Sequence, residues 1–396
     1  MVRNVPENDV FMLPRERANP EPVVLLPHPN PLPKGEGETA LSPHPSALFP
    51  EPGRVLLAGK LTALEASGGG EVQMLATGRA LRELGLDARC WRPWEERLAG
   101  ARLLHLFGSL PEHVAVVEAA RRQRVPVALS TIAWFGLAGY WAEPRPLARR
   151  LAACAGLAVR RLWPRVGSWR RKLYQSVDLL LPNSQAEAEQ LVRLFGVPMQ
   201  RIHVAPNGAD PRFRTADPEP FARRVGGPGF VLCAGRIEPR KNQRALLRAL
   251  HGSGLRVVLL GGAVPGHEAY LAECRRAADD RVQFVGPLEH DDPQLASAYA
   301  ACGCLALCSW YETPGLAALE AGMSGAPLVL PHDGSAREYF GRHAEYVRPT
   351  DLRGIRRAVT EALRRGRKAE LAEHVAASFS WASAARVTLE AYRRVL

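Results

Sequence analysis

The residues best suited to chemistry lie between positions 235 and 320. Glu312 and Glu320 stand eight apart in Glu312-Thr-Pro-Gly-Leu-Ala-Ala-Leu-Glu320, well downstream of Gly235-Arg236 and Lys241. Pro314 suits the first turn of a helix, where its missing N–H loses nothing, and Leu316, Leu319 and Ala321 then supply an apolar face. This spacing puts Glu312 just ahead of the helix and Glu320 within it. Eight helical residues rise by roughly 12 Å, so the two carboxylates can hold opposite ends of an extended ligand. The free N–H groups at the helix start then face an anion between them. Two acids alone would repel such an anion. The guanidinium of Arg236 and the ammonium of Lys241 supply the opposing charge that a diphosphate requires.

These side chains need a scaffold that brings distant segments to one edge. From Arg54 onward, short apolar runs alternate with amphipathic helices, the pattern of a doubly wound parallel sheet. In the first half, strands are expected at 55–58, 103–107, 127–131 and 179–182. The glycine-rich bend Ser67-Gly-Gly-Gly70 leads into a helix carrying Val72, Leu75, Ala76, Ala80, Leu81 and Leu84 at helical spacing. Three glycines let a backbone approach a ligand closely, although a tight strand-to-helix turn explains them as well. In the second half, strands are expected at 230–234, 257–260, 282–285, 304–308 and 328–330. Open sheets of this kind bind ligands beyond the carboxyl ends of their strands. Arg236 follows the strand 230–234 and Glu312 follows 304–308, so both fall on that rim.

A chain of 396 residues holds two such domains with length to spare. The surplus is at the start, where 12 of the 33 prolines fall within the first 52 residues. Residues 1–53 are expected to be a disordered, proline-rich extension, and they lack the pattern of a signal peptide. The seven cysteines are an odd number and scattered, which points to a reducing, cytoplasmic setting. Cys302, Cys304 and Cys308 form the one cluster, and no paired histidines complete a metal set, so they read as small apolar residues of a buried strand. His290-Asp291-Asp292 precedes a helix at 293–302 and reads as a capping cluster in preference to a metal site.

The formal net charge is +12, and it is unevenly spread. Between Glu143 and Asp178 there is no acid, while Arg145, Arg149, Arg150, Arg160, Arg161, Arg165, Arg170, Arg171 and Lys172 interleave with leucines, Trp163, Trp169 and Tyr174. Together with Trp134-Phe-Gly-Leu-Ala-Gly-Tyr-Trp141, the segment 134–174 suits the headgroup zone of an anionic membrane. Three other readings compete. Pro126 and two glycines make 125–142 a poor spanning helix, Arg and aromatic residues can track a nucleic acid, and a solvated basic helix can keep its aromatics in the core. The membrane surface is the expected partner, and nucleic acid is not.

The ordered motifs resemble those of the family 4 retaining glycosyltransferases of the GT-B fold. Gly235-Arg236-x4-Lys241 and Glu312-x7-Glu320 match the family's donor site, and Glu320-Ala-Gly-Met-Ser-Gly-Ala-Pro327 its helix end. Pro182-Asn183-Ser184 and Pro206-Asn207-Gly208-Ala209-Asp210 match the segments leading from the first domain into the second. The resemblance implies an α/β fold of two Rossmann-like, doubly wound domains facing a cleft, at 54–208 and 209–378, with a final helix, 379–396, crossing back to the first. It implies a glycosyltransferase moving a sugar, with retention, from a nucleotide diphosphate sugar to a carbohydrate or lipid-linked acceptor in cell-surface polysaccharide or lipopolysaccharide synthesis.

In that scheme Glu312 contacts the transferred sugar's hydroxyls, Glu320 holds the ribose, and Gly315 and Leu316 offer helix-start N–H groups. Gly69 and Gly70 face the cleft, and Arg236 and Lys241 stabilise the leaving diphosphate without a metal. The chain departs from the family where many members place a histidine after the strand 127–131. Here it reads Ser130-Thr-Ile-Ala133, which leaves His105 as the candidate sugar or acceptor contact. Ala133 also keeps open a catalytically silent, nucleotide-sugar-binding subunit. A sugar synthase with a soluble acceptor is the other alternative.

Overall fold

Short apolar runs, the central ones buried on both faces, assemble into two parallel sheets. The computed structural model describes residues 53–60, 68–142, 146–313 and 315–396. The proline-rich residues 1–52, Ser67, Glu143, Arg145 and Pro314 lie outside it. The first sheet has β1 (Arg54–Ala58), β2 (Ala88–Cys90), β3 (Ala101–Phe107), β4 (Val127–Ser130) and β5 (Leu179–Leu180), all parallel, in the order β2-β1-β3-β4-β5. The second has β6 (Val231–Ala234), β7 (Val257–Leu260), β8 (Val282–Gly286), β9 (Cys304–Ala306), β10 (Leu328–Pro331) and β11 (Ala344–Val347), in the order β11-β10-β9-β6-β7-β8. Every residue of β4, β6, β7, β9 and β10 is buried, which is why these strands read as unbroken apolar runs.

Strand order decides where a ligand can sit. In the second sheet the chain winds outward from β6 to β8, then returns to start again at β9, so β6 and β9 are neighbours whose following loops diverge. Such a reversal opens a crevice at the carboxyl ends. Arg236 and Lys241 follow β6 and Glu312 follows β9, so the candidate residues flank that crevice. The first sheet reverses between β1 and β3, and Gly68, Gly69 and Gly70 open the helix Gly69–Glu83 that comes next after β1 in the described chain.

The last helix, Trp381–Tyr392, joins the first sheet's core. Ala385, Leu389 and Tyr392 pack among Leu57, Leu81 and Leu103, and burying a Leu contributes roughly 1.5–3 kcal/mol. The two chain crossings between lobes touch, with Ala209 N–H donating to Phe379 O at 2.8 Å. A Cβ on Gly208 would fall 2.3 Å from the Ser380 backbone, so only glycine permits the approach. A second tie joins the lobes farther along. Glu338 accepts from the backbone N–H groups of Gln185 and Ala186 at 2.7 and 2.8 Å, at the start of the helix Gln185–Phe195, and Tyr339 Oη donates to Asn183 O at 2.6 Å. A carboxylate at a helix N-terminus is favoured by both the free donors and the helix dipole.

Candidate active site

Past β6 the chain makes a single turn, Pro239–Lys241, that aims Lys241 back toward the end of β9. Its Nζ lies 2.6 Å from Glu312 Oε1, which also accepts from Ser309 Oγ at 2.5 Å. The sequence places these two groups at separate tasks; the structure joins them in one buried pair. Burial alone would raise the Glu312 carboxyl, but Lys241 and Arg240, with two hydrogen bonds, hold it below its ordinary range. Burial draws the Lys241 ammonium down, with Glu312 opposing. Arg240 is braced by Glu238 at 2.8 Å, and its guanidinium lies 5.3 Å from the Tyr311 ring centre. Arg236, by contrast, keeps a half-exposed side chain, 3.7 Å from Glu238, and remains available to an anion.

The backbone of Glu312 is fixed by a residue the sequence reading passed over. Gly334 bridges to it at φ +115°, and a Cβ there would lie 2.2 Å from Glu312 O. Ser335 N–H donates to the same oxygen at 3.0 Å. Gly315 then caps the helix Leu316–Met323. Glu320, 6% exposed on that helix, has both carboxylate oxygens engaged: His290 Nε2 lies 3.0 Å from Oε1, and Tyr299 Oη donates to Oε2 at 2.8 Å. Asp292 does cap the next helix, through Gln294 N–H at 2.8 Å. His290 does not, and reading 290–292 as one capping cluster missed its contact with Glu320.

The glycine loop forms the facing wall. A Cβ on Gly68 would lie 3.2 Å from Arg236 Nη1, and one on Gly69 would reach Leu316 Cδ1 at 4.0 Å, so these two glycines face the second lobe. A Cβ on Gly70 would point into its own lobe, 3.5 Å from Ile132 Cδ1. Two helix starts, at Gly69 and Leu316, therefore converge on the space beside Arg236. After β4, Glu187 holds the loop: its carboxylate accepts from Thr131 Oγ1 at 2.5 Å and from the N–H groups of Ala133 and Asn183 at 2.7 and 2.9 Å. Burial pushes its carboxyl up to about 7, against those three hydrogen bonds. Ile132 sits at φ +46°, a costly conformation for a β-branched residue that this anchoring sustains. Ala133 packs on the first-lobe core.

His105 does not reach this wall, which corrects its assignment as a sugar or acceptor contact. It points from the centre of β3 into the core at 1% exposure, bonded to Tyr392 Oη at 2.7 Å and Ser130 Oγ at 2.9 Å. Burial lowers its pKa to about 3. A folded-state pKa below the unfolded value means that stability is lost as pH falls below about 6.5. In His105→Gln, stability is expected to drop by about 1–3 kcal/mol at neutral pH, with a shallower decline between pH 6 and 4 in urea titrations. Ligand affinity of the folded fraction should be unchanged, and a selective loss of binding would restore His105 to the site.

The basic and aromatic segment divides between core and surface. Leu173, Tyr174 and Leu157 are buried. Leu147, Leu151 and Leu162, on the helix Leu147–Leu162, are 59, 52 and 70% exposed, and Trp163 beyond it 63%. At 100° per residue the three leucines fall on one stripe, with Arg150 and Arg161 along one flank. Among the described residues no helix is long and apolar enough to cross a membrane.

Comparison with known proteins gives two family matches: Glycosyltransferase Family 4 over residues 67–213, and Glycosyl transferases group 1 over 228–365. D-inositol 3-phosphate glycosyltransferases from Nocardia farcinica and Mycolicibacterium smegmatis are each 32% identical, over 57% of this chain and 54 and 55% of their own. The chain thus spans about half the length of these relatives. Sucrose-phosphate synthase from Thermosynechococcus elongatus shares the fold with a TM-score of 0.69 at 18% identity, covering 86% of this chain and 99% of that one. Anabaena HepE, solved with UDP and glucose, gives 0.64 at 17%, covering 86 and 99%.

Proposed function

The chain belongs to the GT4-type glycosyltransferases of the GT-B fold, and we propose that it transfers a hexosyl group, with retention, from a nucleoside diphosphate sugar to a carbohydrate or lipid-linked acceptor. The observation that carries this reading is the placement of Arg236 and the Lys241–Glu312 pair at the β6/β9 reversal, opposite the glycine loop. As the bond from sugar to diphosphate breaks, negative charge grows on the leaving phosphate. Arg236, Lys241 and the two helix starts stabilise that charge with no reorganisation. Glu312 receives the sugar's hydroxyls and Glu320 those of the ribose, and neither forms a bond to the sugar. The acceptor hydroxyl attacks from the face the diphosphate leaves, giving its proton to the departing phosphate oxygen. No metal is assigned a part. Thermal shifts against UDP-, GDP- and ADP-sugars test the reading, because a ligand bound by the folded state raises the melting temperature by mass action; no shift with any donor would remove it.

The outward leucine stripe and its arginines favour an acceptor held at the inner face of the cell membrane, in cell-surface polysaccharide or lipopolysaccharide assembly. Each basic residue near an anionic surface adds about 1 kcal/mol. The protein is expected to sediment with phosphatidylglycerol liposomes at low salt, and Leu151→Glu with Leu162→Glu to abolish this. Failure of the wild type to sediment would end the proposal. The names of the relatives favour a second reading, a soluble phosphorylated polyol as acceptor, which transfer to inositol 3-phosphate in the absence of lipid would select.

A further inference from the structure

We infer that His290, held by Arg212, is a positioning residue that orients the Glu320 carboxylate for the donor's ribose. The inference rests on the reading of Glu320 given above. A carboxylate on a flexible side chain can turn its plane freely, so binding two vicinal hydroxyls requires that plane to be fixed. Tyr299 Oη fixes one oxygen and His290 Nε2 the other, at 2.8 and 3.0 Å. The imidazole can do this only with its proton on Nε2, and its other nitrogen is met by a group that can only donate. Arg212 Nη2 lies 3.4 Å from His290 Nδ1 and 2.5 Å from His290 O. A carboxylate can only accept, so Nε2 carries the hydrogen toward Glu320, and a guanidinium at Nδ1 favours the tautomer that leaves a lone pair there. Asp291 Oδ1 stands 3.6 Å from the same Nδ1 and 3.8 Å from Arg212 Nη1, closing a charge pair at the outer edge of the ring.

Arg212 is itself well held. It lies in the turn Pro211–Phe213, its N–H donates to Asp210 Oδ1 at 2.9 Å, and its guanidinium carbon lies 4.7 Å from the Phe213 ring centre. Phe213 in turn meets both Tyr299 and His290 edge to face, at 5.6 and 6.2 Å. Residues 210–213 directly follow the crossing from the first lobe at Gly208-Ala209, so the ribose-facing acid is oriented from the hinge side of the cleft. Groups that hold a binding carboxylate from behind affect affinity without touching the ligand.

The test compares dissociation constants for UDP, GDP and ADP with those of their 2′,3′-dideoxy forms by calorimetry, using whichever base the wild type binds best. The wild type should favour the ribonucleotide by about tenfold or more, and Glu320→Ala should erase that preference. His290→Ala is expected to shrink the preference to about threefold or less, leaving dideoxy affinity within about twofold, and His290→Gln, whose amide can donate from a similar position, to restore it. Arg212→Met, which leaves His290 in place, should shrink the preference part of the way. If Glu320→Ala erases the preference while His290→Ala keeps it, or weakens both ligands equally, the positioning role is wrong. If Glu320→Ala itself keeps the preference, the ribose reading of Glu320 fails instead.

Discussion

Lys241→Ala is expected to destabilise the protein by about 3–5 kcal/mol, because it takes from the buried Glu312 carboxylate its directly paired counter-charge and leaves only the Arg240 charge nearby. Both side chains are largely buried, Lys241 at 15% and Glu312 at 5% exposure, so water cannot take over the lost charge. The loss belongs to the unpaired charge and not to the net worth of the pair. Lys241→Met combined with Glu312→Leu should therefore recover most of the stability, since apolar pairs of similar volume often replace buried ion pairs at little cost. Donor turnover should stay abolished in the double variant. Urea unfolding of both single variants and the double one, beside nucleoside diphosphate release, separates the two effects. A double variant no more stable than Lys241→Ala would show that the pair is not the source of the loss.

Arg236→Ala should do the reverse, leaving the fold intact and removing activity. Its side chain is about half exposed and its ion pair to Glu238, at 3.7 Å, is long, so a stability change within about 0.5 kcal/mol is expected. A cation aimed at charge that develops in the transition state is worth about 10²–10³ in kcat. Arg236→Lys should recover part of this, because charge is kept while the two-pronged contact is lost. A rise in KM with unchanged kcat would place Arg236 in ground-state binding only.

The strand 257–260, an apolar run buried throughout, is legible with its observed bounds, and the other expected strands fall within two residues of theirs, including β8, which is only partly buried. The edge strand β2, three residues long with a single buried position, gave no such run. β11, burial three-quarters partial, was equally silent. The Arg236, Lys241, Glu312 and Glu320 constellation was readable because spacing along the chain maps onto strand ends and one helix. Its supports were not. Gly334 meets Glu312, and His290 meets Glu320, across segments that only the fold brings together. Nothing in the spacing of Glu187 marks its three bonds, to the loop at 131–133 and to Asn183. His105 drew notice as a polar residue near a strand end, yet strand alternation turns it toward the final helix.

The central claim is that this cleft breaks the bond between a sugar and a nucleoside diphosphate using Arg236 and the Lys241–Glu312 pair. Release of nucleoside diphosphate from UDP-, GDP- and ADP-sugars, measured for the wild type, Arg236→Ala and Glu312→Gln, reaches it most directly. The wild type is expected to turn over at least one donor, and both folded variants to lose about 100-fold or more. Wild-type protein that binds a nucleotide sugar but releases no diphosphate from any of them, indistinguishable from the two variants, would contradict the claim and leave a binding subunit in its place.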